Sequence, residues 1–398
     1  MSDGYPLRPL GEVMHLDIQR TPMMPATAYR LAGVLNAGQG LVAKGEIDGG
    51  DTEYAAMNVL RADQVVMRKL TAWEGPITVV TAEFDGFVAS NEFPTFTLGP
   101  ELVPDWMRHV CRSPQLWAEM KNRVSGTVQR RKRLNPEQLL QIQFPIPPLE
   151  VQARIVEVID AVDAQIDALS EESAAVDRVS MAVAEGLLPG EPTVELGTVL
   201  AGIEGGRSPQ ASSSPPGADE TGVLKVSAVT PFRFVPEESK ALLPGTTMPK
   251  TALVRPGDVL ITRANTPLKV GAVARVPADV RSGLYLADKT LRLIPSSKLD
   301  PDFLVVAMAL KSARGHLTSS ATGTSASMFN ISQERIRETP IPLPEIERQK
   351  KVSSAVLSVR ATADATHAEA ARLREVRASL LAGLLDRTLT IKSAELEV

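Results

Sequence analysis

A chain of 398 residues with 43% hydrophobic and 23% charged side chains exceeds one hydrophobic core, so two or more soluble folded domains are expected. One cysteine, Cys111, excludes an intrachain disulfide framework. With no apolar signal region at its start and no run near the ~20 apolar residues of a membrane span, the chain reads as cytoplasmic and free of membrane. A net charge of −4 lacks the basic balance of many DNA-binding proteins, so a nucleic-acid role must rest on local clusters.

In chain order, short apolar runs bounded by Gly, Pro and Asp predict strands near 29–35, 64–67, 76–80 and 86–89. Two segments opening with proline, at Pro104 and Pro114, read as helices. Ser125-Gly-Thr-Val-Gln-Arg-Arg-Lys-Arg133 then forms a loop ending in four cations, before a short helix at 134–142. Phe144-Pro-Ile-Pro-Pro148 must be extended, because proline fixes φ and disfavours helix at the residue before it. From Glu150 the period changes. Apolar residues fall at Ile155, Val158, Ile159, Val162, Ile166, Leu169, Val176, Val179, Val183 and Leu187, which predicts one amphipathic helix of ~38 residues, about 57 Å long. Residues 150–190 are strongly acidic, with nine Asp/Glu against two Lys/Arg.

The second half repeats the design. A Ser/Pro/Gly loop follows Gly202-Ile-Glu-Gly-Gly-Arg207, strands are expected near 222–227, 258–263 and 270–276, and a helix from Asp302. The stretch Leu134-Asn-Pro-Glu-Gln-Leu-Leu-Gln-Ile-Gln-Phe-Pro-Ile-Pro-Pro-Leu-Glu-Val-Gln152 returns without a gap, 197 residues later, as Ile331 to Gln349. Glu137/Glu334, Pro145/Pro342, Pro147/Pro344, Glu150/Glu347 and Gln152/Gln349 are identical, where composition gives roughly one match by chance. Leu10-Gly11 has its counterpart in Leu196-Gly197, at an offset of 186. Carried forward by 197, the helical stripe becomes Val352, Ala355, Val356, Val359, Ala363, Thr366, Leu373, Val376, Leu380 and Leu384. An internal duplication follows. The fold class expected is α+β: two mixed α/β domains at 1–149 and 190–344, separated by long helices at 150–189 and 345–398. Each helix needs a partner for its apolar face, so they are expected to pair antiparallel as a coiled coil within a pseudo-twofold repeat.

Catalytic patterns are scarce. None of His15, His109, His316 and His367 has metal-ligand spacing to another histidine, and His109 with Cys111 has no third ligand nearby in sequence, so no metal site is expected. Phosphate-loop and nucleophile-elbow motifs are missing, and Asp300-Pro-Asp-Phe303 lacks the second proline of an amino-methyltransferase motif. An enzyme is therefore not expected. Three clusters suit DNA. Arg130, Arg131, Lys132 and Arg133, with Lys121 and Arg123 upstream, can neutralise phosphates, although such a run is as often a solvated face. Arg263 and Asn265 can pair with guanine and adenine edges, or Asn265 can simply centre a turn. Thr324 and Ser325, in Gly323-Thr-Ser-Ala-Ser327, offer hydroxyls and amides to phosphate, or form a plain flexible loop. Arg207 joins the candidates from the glycine-rich turn.

The doubled Pro-Ile-Pro-Pro-Leu-Glu-x-Gln element with its long helix, and Arg255-Pro-Gly-Asp-Val-Leu-Ile-Thr-Arg-Ala-Asn-Thr, resemble the specificity subunit of type I restriction–modification systems. That resemblance implies two target-recognition domains, each reading half of an asymmetric bipartite double-stranded DNA target. It implies that the helices dock modification subunits, two in number, which bind S-adenosylmethionine and methylate adenine, so this chain itself needs no cofactor. A restriction–translocase subunit would join for cleavage. Gln152, Ile155, Gln349 and Val352 are the docking residues expected at the helix starts, with Glu345 and Arg348 in the second copy making the two surfaces unequal. Two readings stay open beside it: a coiled-coil adaptor that never meets DNA, and a stand-alone DNA methyltransferase.

Overall fold

The protein, as a computed structural model, is described at residues 5–125, 132–212, 214–267, 269–325 and 328–389, with only the backbone given at Thr324 and Ser325. It divides into two compact units: unit 1 comprises Met1–Ser170 and Ala368–Val398, unit 2 Glu171–His367. The division falls inside both long helices, so each helix contributes one half to each unit. The four-segment division expected from sequence treated the helices as separate pieces. In the fold each half is part of a unit because its apolar face completes that unit's core.

Eight helices organise the described chain: α1 Pro104–Cys111, α2 Pro114–Arg123, α3 Pro136–Leu140, α4 Leu149–Gly186, α5 Pro301–Ala309, α6 Lys311–Ser320, α7 Gln333–Arg337 and α8 Ile346–Leu385. Their starts are encoded locally. Proline occupies the first turn of α1, α2, α3 and α5, where its missing N–H costs nothing. Ser113, Asp300 and Ser332 accept hydrogen bonds from the first-turn amides of α2, α5 and α7, and Asn135 with Gln138 forms a capping box on α3.

In unit 1 an antiparallel sheet of strands Met14–Leu16, Thr95–Leu98, Val65–Met67 and Ile77–Val79 packs on α1 and α2. Trp106, Met107 and Phe96 fill that core, and Ile155 and Ile159 of α4 and Leu381, Leu384 and Leu385 of α8 close it. A second sheet, edged by the long strand Leu41–Asp48, has its own small core around Val34, Leu60 and Phe87. Unit 2 repeats the four-stranded sheet in the same order with Leu200–Gly205, Thr290–Pro295, Val259–Thr262 and Val273–Arg275. Val352 and Val356 of α8 and Ala184 of α4 lie in its core.

The duplication extends to single hydrogen bonds. Strand Leu7–Pro9 pairs with Gln143–Pro145, and Thr193–Glu195 pairs with Pro340–Pro342, in the same register. A Cβ on Gly11 would lie 3.2 Å from Leu140 Cβ, and one on Gly197 would lie 2.8 Å from Arg337 Cβ, so glycine admits the same close approach twice. Gln152 Nε2 donates to Pro147 O and Glu101 O, both at 2.8 Å, while its Oε1 accepts from Val103 N at 2.8 Å. Gln349 donates to Pro344 O (2.8 Å) and Lys298 O (2.9 Å) and accepts from Asp300 N (2.8 Å). Every partner is shifted by 197. Both glutamines are fully buried, and Ile155 and Val352 lie in the cores. The docking role expected for these four side chains is therefore corrected: they lock each helix start onto its own unit, with no surface left for a partner. Sequence identity at Gln152 and Gln349 reflects a buried polar group that must be satisfied.

Within each unit the helix halves run antiparallel. Asp163 meets Arg377 and Ser170 meets Arg374 in unit 1; Ser173 meets Ala363 and Asp177 meets Arg360 in unit 2. The pairing is the expected coiled coil, but its inward face departs from the stripe. Val179 and Val376, one repeat apart, are 55% and 52% exposed, while Ser180 and Arg377 beside them are buried. The inward face has moved by one residue, to Ser180, whose hydroxyl donates to Asp177 O of its own helix, and to Arg377, which pairs with Asp163.

Candidate nucleic-acid interface

The two loops singled out from the sequence are anchored at equivalent places. In unit 1, Ser125 and Arg133 exchange backbone hydrogen bonds of 2.9 Å, Thr71 N donates to Lys132 O at 3.0 Å, and Leu134 N donates to Lys69 O at 3.1 Å. In unit 2, strand Thr322–Ser325 pairs with Met328–Asn330, which pairs in turn with Ala264–Asn265. There Ile331 N donates to Arg263 O at 2.8 Å. Lys69 N reaches Glu92 O, and Arg263 N reaches Lys289 O, both at 2.9 Å. Residue for residue, Lys69 is the counterpart of Arg263 and Glu92 of Lys289. The hydroxyl-rich segment and the Arg263–Asn265 segment, far apart in sequence, thus belong to one small sheet.

The candidate side chains that are described have definite settings. Lys121 is exposed on the last turn of α2; Arg123 is held there by an ion pair to Glu119 and by Glu119 O at 3.1 Å, which reduces its charge available to phosphate. Arg130 and Arg131 lie outside the described residues. Lys132 is half-buried, and Arg133 is exposed with Nη2 3.0 Å from Glu92 Oε1. Arg207 is exposed and donates to Thr247 O, apart from the Arg263 sheet in its hydrogen bonding. Arg263 and Asn265 are half-buried, and Asn265 Oδ1 accepts from Thr266 N at 2.8 Å, the local contact of the turn reading. Thr324 and Ser325 lie on strand Thr322–Ser325, their side chains outside the described ones.

Sequence reasoning missed Lys69 and Arg68 in unit 1 and Lys289 in unit 2. Arg68 braces the segment, donating to Leu70 O (3.0 Å), Asn36 Oδ1 (2.8 Å), Thr71 Oγ1 (2.7 Å) and Glu74 Oε2 (3.2 Å). An offset of 194 between 66–71 and 260–265 was the available signal, hidden by the length differences between the halves.

A second polar cluster joins α1 to the helix pair in unit 1. His109 Nε2 stands 3.0 Å from Asp160 Oδ1, Arg377 Nη2 lies 2.8 Å from His109 Nδ1, and Asp163 receives Arg377 (2.6 Å) and Arg112 (2.8 Å). Arg377 can only donate, so His109 accepts at Nδ1 and carries its proton on Nε2, facing Asp160. Burial first, then the Arg377 charge, pushes the His109 pKa below its usual value against the pull of Asp160 and Asp163. Burial disfavours the Asp163 charge, yet the hydrogen bond from Arg377 and the charge of Arg112 outweigh it and hold the carboxyl low. His109, Asp160 and Asp163 are spaced closely enough to hold an ion. Two guanidiniums already neutralise the group, so it fits a structural ion network better than a metal centre.

Comparisons with known proteins agree with this architecture. Residues 117–178 match the family described as "Type I restriction modification DNA specificity domain". The type I restriction enzyme EcoEI specificity subunit of Escherichia coli is 34% identical over 164 residues, which is 40% of this chain and 27% of that protein. The chain therefore aligns with about a quarter of that relative's length. Among solved structures, a chain from work on complex assembly and conformational transition of the type I R-M system superposes with a TM-score of 0.51 at 21% identity, covering 97% of this chain and 99% of that one. The HsdS subunit of Thermoanaerobacter tengcongensis gives 0.41 at 20% identity, over 97% and 98%. Residues 117–178 are thus similar to the type I restriction modification DNA specificity domain, part of the chain is similar to a type I restriction enzyme specificity subunit, and the whole-chain fold is similar to that of a chain from the type I R-M system.

Proposed function

We propose that this chain recognises an asymmetric bipartite DNA target, unit 1 reading one half and unit 2 the other, and that it recruits modification subunits that carry the methyl-transfer chemistry. The observation that carries this reading is the repeated anchoring of a candidate contact loop beside Lys69 in one unit and beside Arg263 in the other. A conserved scaffold with differing loop chemistry, cationic in one unit and rich in hydroxyl and amide groups in the other, is what two different half-sites require. Phosphate contacts from Lys69, Lys121, Lys132 and the 130–133 run would position unit 1; Arg263, Asn265 and Lys289 would serve unit 2. S-adenosylmethionine is assigned to the modification subunits, of which two would bind, and a restriction–translocase subunit would join for cleavage. Since Gln152, Ile155, Gln349 and Val352 are enclosed, docking falls to exposed helix residues, of which Val179 and Val376 are the paired candidates. α4 passes from unit 1 into unit 2 without a break, so helix length would set the number of base pairs between half-sites.

Gel shifts with random duplex, with and without the cognate modification subunit, test the DNA reading. Salt-dependent binding is expected; none in either condition would favour the adaptor reading, and S-adenosylmethionine binding by the purified chain alone would favour a stand-alone methyltransferase.

A further inference from the structure

In unit 2 the small sheet of Thr322–Ser325, Met328–Asn330 and Ala264–Asn265 has Met328–Asn330 as its central strand. Asn330 pairs with Ala264 on one side and with Thr322 on the other. Unit 1 holds Arg133 in the same slot, bridged to Leu70 and Ser125, the counterparts of Ala264 and Thr322. Pairing on both sides fixes the backbone at this slot and leaves the side chain open to change. Arg133 reaches Glu92 at 3.0 Å; in unit 2 Lys289 takes the place of Glu92, and Asn330 makes no side-chain hydrogen bond among the described residues.

We infer that Asn330 reads an adenine in the major groove of the unit 2 half-site, with Met328 against a neighbouring thymine methyl. This rests on the DNA reading proposed above and adds to it the base and the atoms contacted. Three observations point there. Asparagine is a poor strand former, so an exposed asparagine at the centre of a sheet is not explained by strand stability. Its carboxamide sets a donor beside an acceptor, the pattern that adenine N7 and N6 complete, and it carries no charge that would favour phosphate over a base. Finally, side chains alternate between the faces of a strand, and here Met328 and Asn330 are exposed while Phe329 between them is half-buried. Met328, 38% exposed, thus shares the face of Asn330 about 7 Å along the strand, where its apolar surface serves no core and matches a thymine methyl. Asn265 alternates with Ala264, the residue opposite Asn330, and so lies on the other face; the contact made by Asn330 is separate from any made by Asn265.

The test selects bound duplexes from a pool with randomised interiors, using the full chain together with the proposed modification subunits, and sequences them. The unmodified chain should enrich a two-part motif with an adenine in the half that Arg263→Ala/Asn265→Ala also alters. Asn330→Ala should cut the preference for that adenine about fivefold or more (about 1 kcal/mol) and leave the other half intact. On the enriched duplex, 7-deazaadenine at that position should weaken the unmodified chain about fivefold and Asn330→Ala hardly at all. Uracil in place of the neighbouring thymine should weaken the unmodified chain but not Met328→Ser. Asn330→Val separates reading from folding: a better strand former with no hydrogen bond to offer, it should melt no lower than the unmodified chain and lose the adenine preference all the same. A motif unchanged by Asn330→Ala or relaxed in the other half, an adenine preference kept by Asn330→Val, or equal binding of adenine and 7-deazaadenine by the unmodified chain would each overturn the assignment. Enrichment of no motif by the unmodified chain would instead overturn the DNA reading, and this inference with it.

Discussion

The two units share a scaffold down to single atoms and differ where a scaffold has nothing to decide. Gln152 and Gln349 make the same three hydrogen bonds, Gly11 and Gly197 admit the same close approach, and the same strand pair closes each unit. Glu92 against Lys289, His109 against Val306, and Asp163 against Arg360 show the opposite. Polar groups enclosed with every partner in place resist change, because losing one orphans several others. Charges at a rim or along a helix seam can invert when a compensating partner lies a turn away, as Asp177 does for Arg360.

The largest effect should come from breaking the shared part. Gln152→Ala orphans Val103 N, Glu101 O and Pro147 O, and should destabilise unit 1 by about 3 kcal/mol; Gln349→Ala should do the same to unit 2. Denaturant melts of both variants check this, and a large asymmetry between them would mean that the clamps are not equivalent. Next in size is the divergent loop. Arg131→Ala with Arg133→Ala should weaken DNA binding about tenfold or more across sequences and lower the salt slope by about 2, as two lost phosphate contacts require. An unchanged salt titration would mark the run as a solvated face.

A smaller effect sharpens the difference along the seam. His109 has a depressed folded pKa, so as pH falls below about 6.5 the unfolded chain takes up a proton before the folded one does. Stability is thus whole above the unfolded value and is lost as pH falls toward the folded pKa, with Asp163 adding a loss of the same sign below the usual carboxylate range. His109→Gln should flatten the decline between pH 7 and 5 in unit 1, while Val306 gives unit 2 no such term. Thermal melts across that range decide it.

Much of this was legible in sequence because its signals are local or doubled. Proline-led helix starts, the change of period at Glu150 and the repeat of residues 134–152 gave helices, duplication and helix pairing. Strand Leu41–Asp48 escaped because it is a sheet edge, largely exposed on both faces, and shows no alternation. Val179 and Val376 entered the expected stripe wrongly, since periodicity ranks residues by apolarity and cannot see that Ser180 and the ion-paired Arg377 take the inward positions. The roles of Gln152 and Gln349 were misread for a related reason: identity across a repeat marks constraint, and only the hydrogen-bond partners show that it comes from inside. The candidate contact loops were found, but that Arg263 and residues 322–325 share one sheet depends on a long-range pairing with no local signature.

Adenine-methylation mapping in cells carrying the chain with the proposed modification subunit tests the central claim most directly. The unmodified chain is compared with Arg263→Ala/Asn265→Ala and with Arg131→Ala/Arg133→Ala, and also with a chain lengthened by one helical turn after both Leu169 and Thr366. The account expects a bipartite motif in which the unit 2 variant relaxes one half-site only, the unit 1 variant lowers methylation without altering either half, and the insertion widens only the gap. Relaxation of both half-sites by the Arg263/Asn265 change, or an unchanged gap after the insertion, would contradict it.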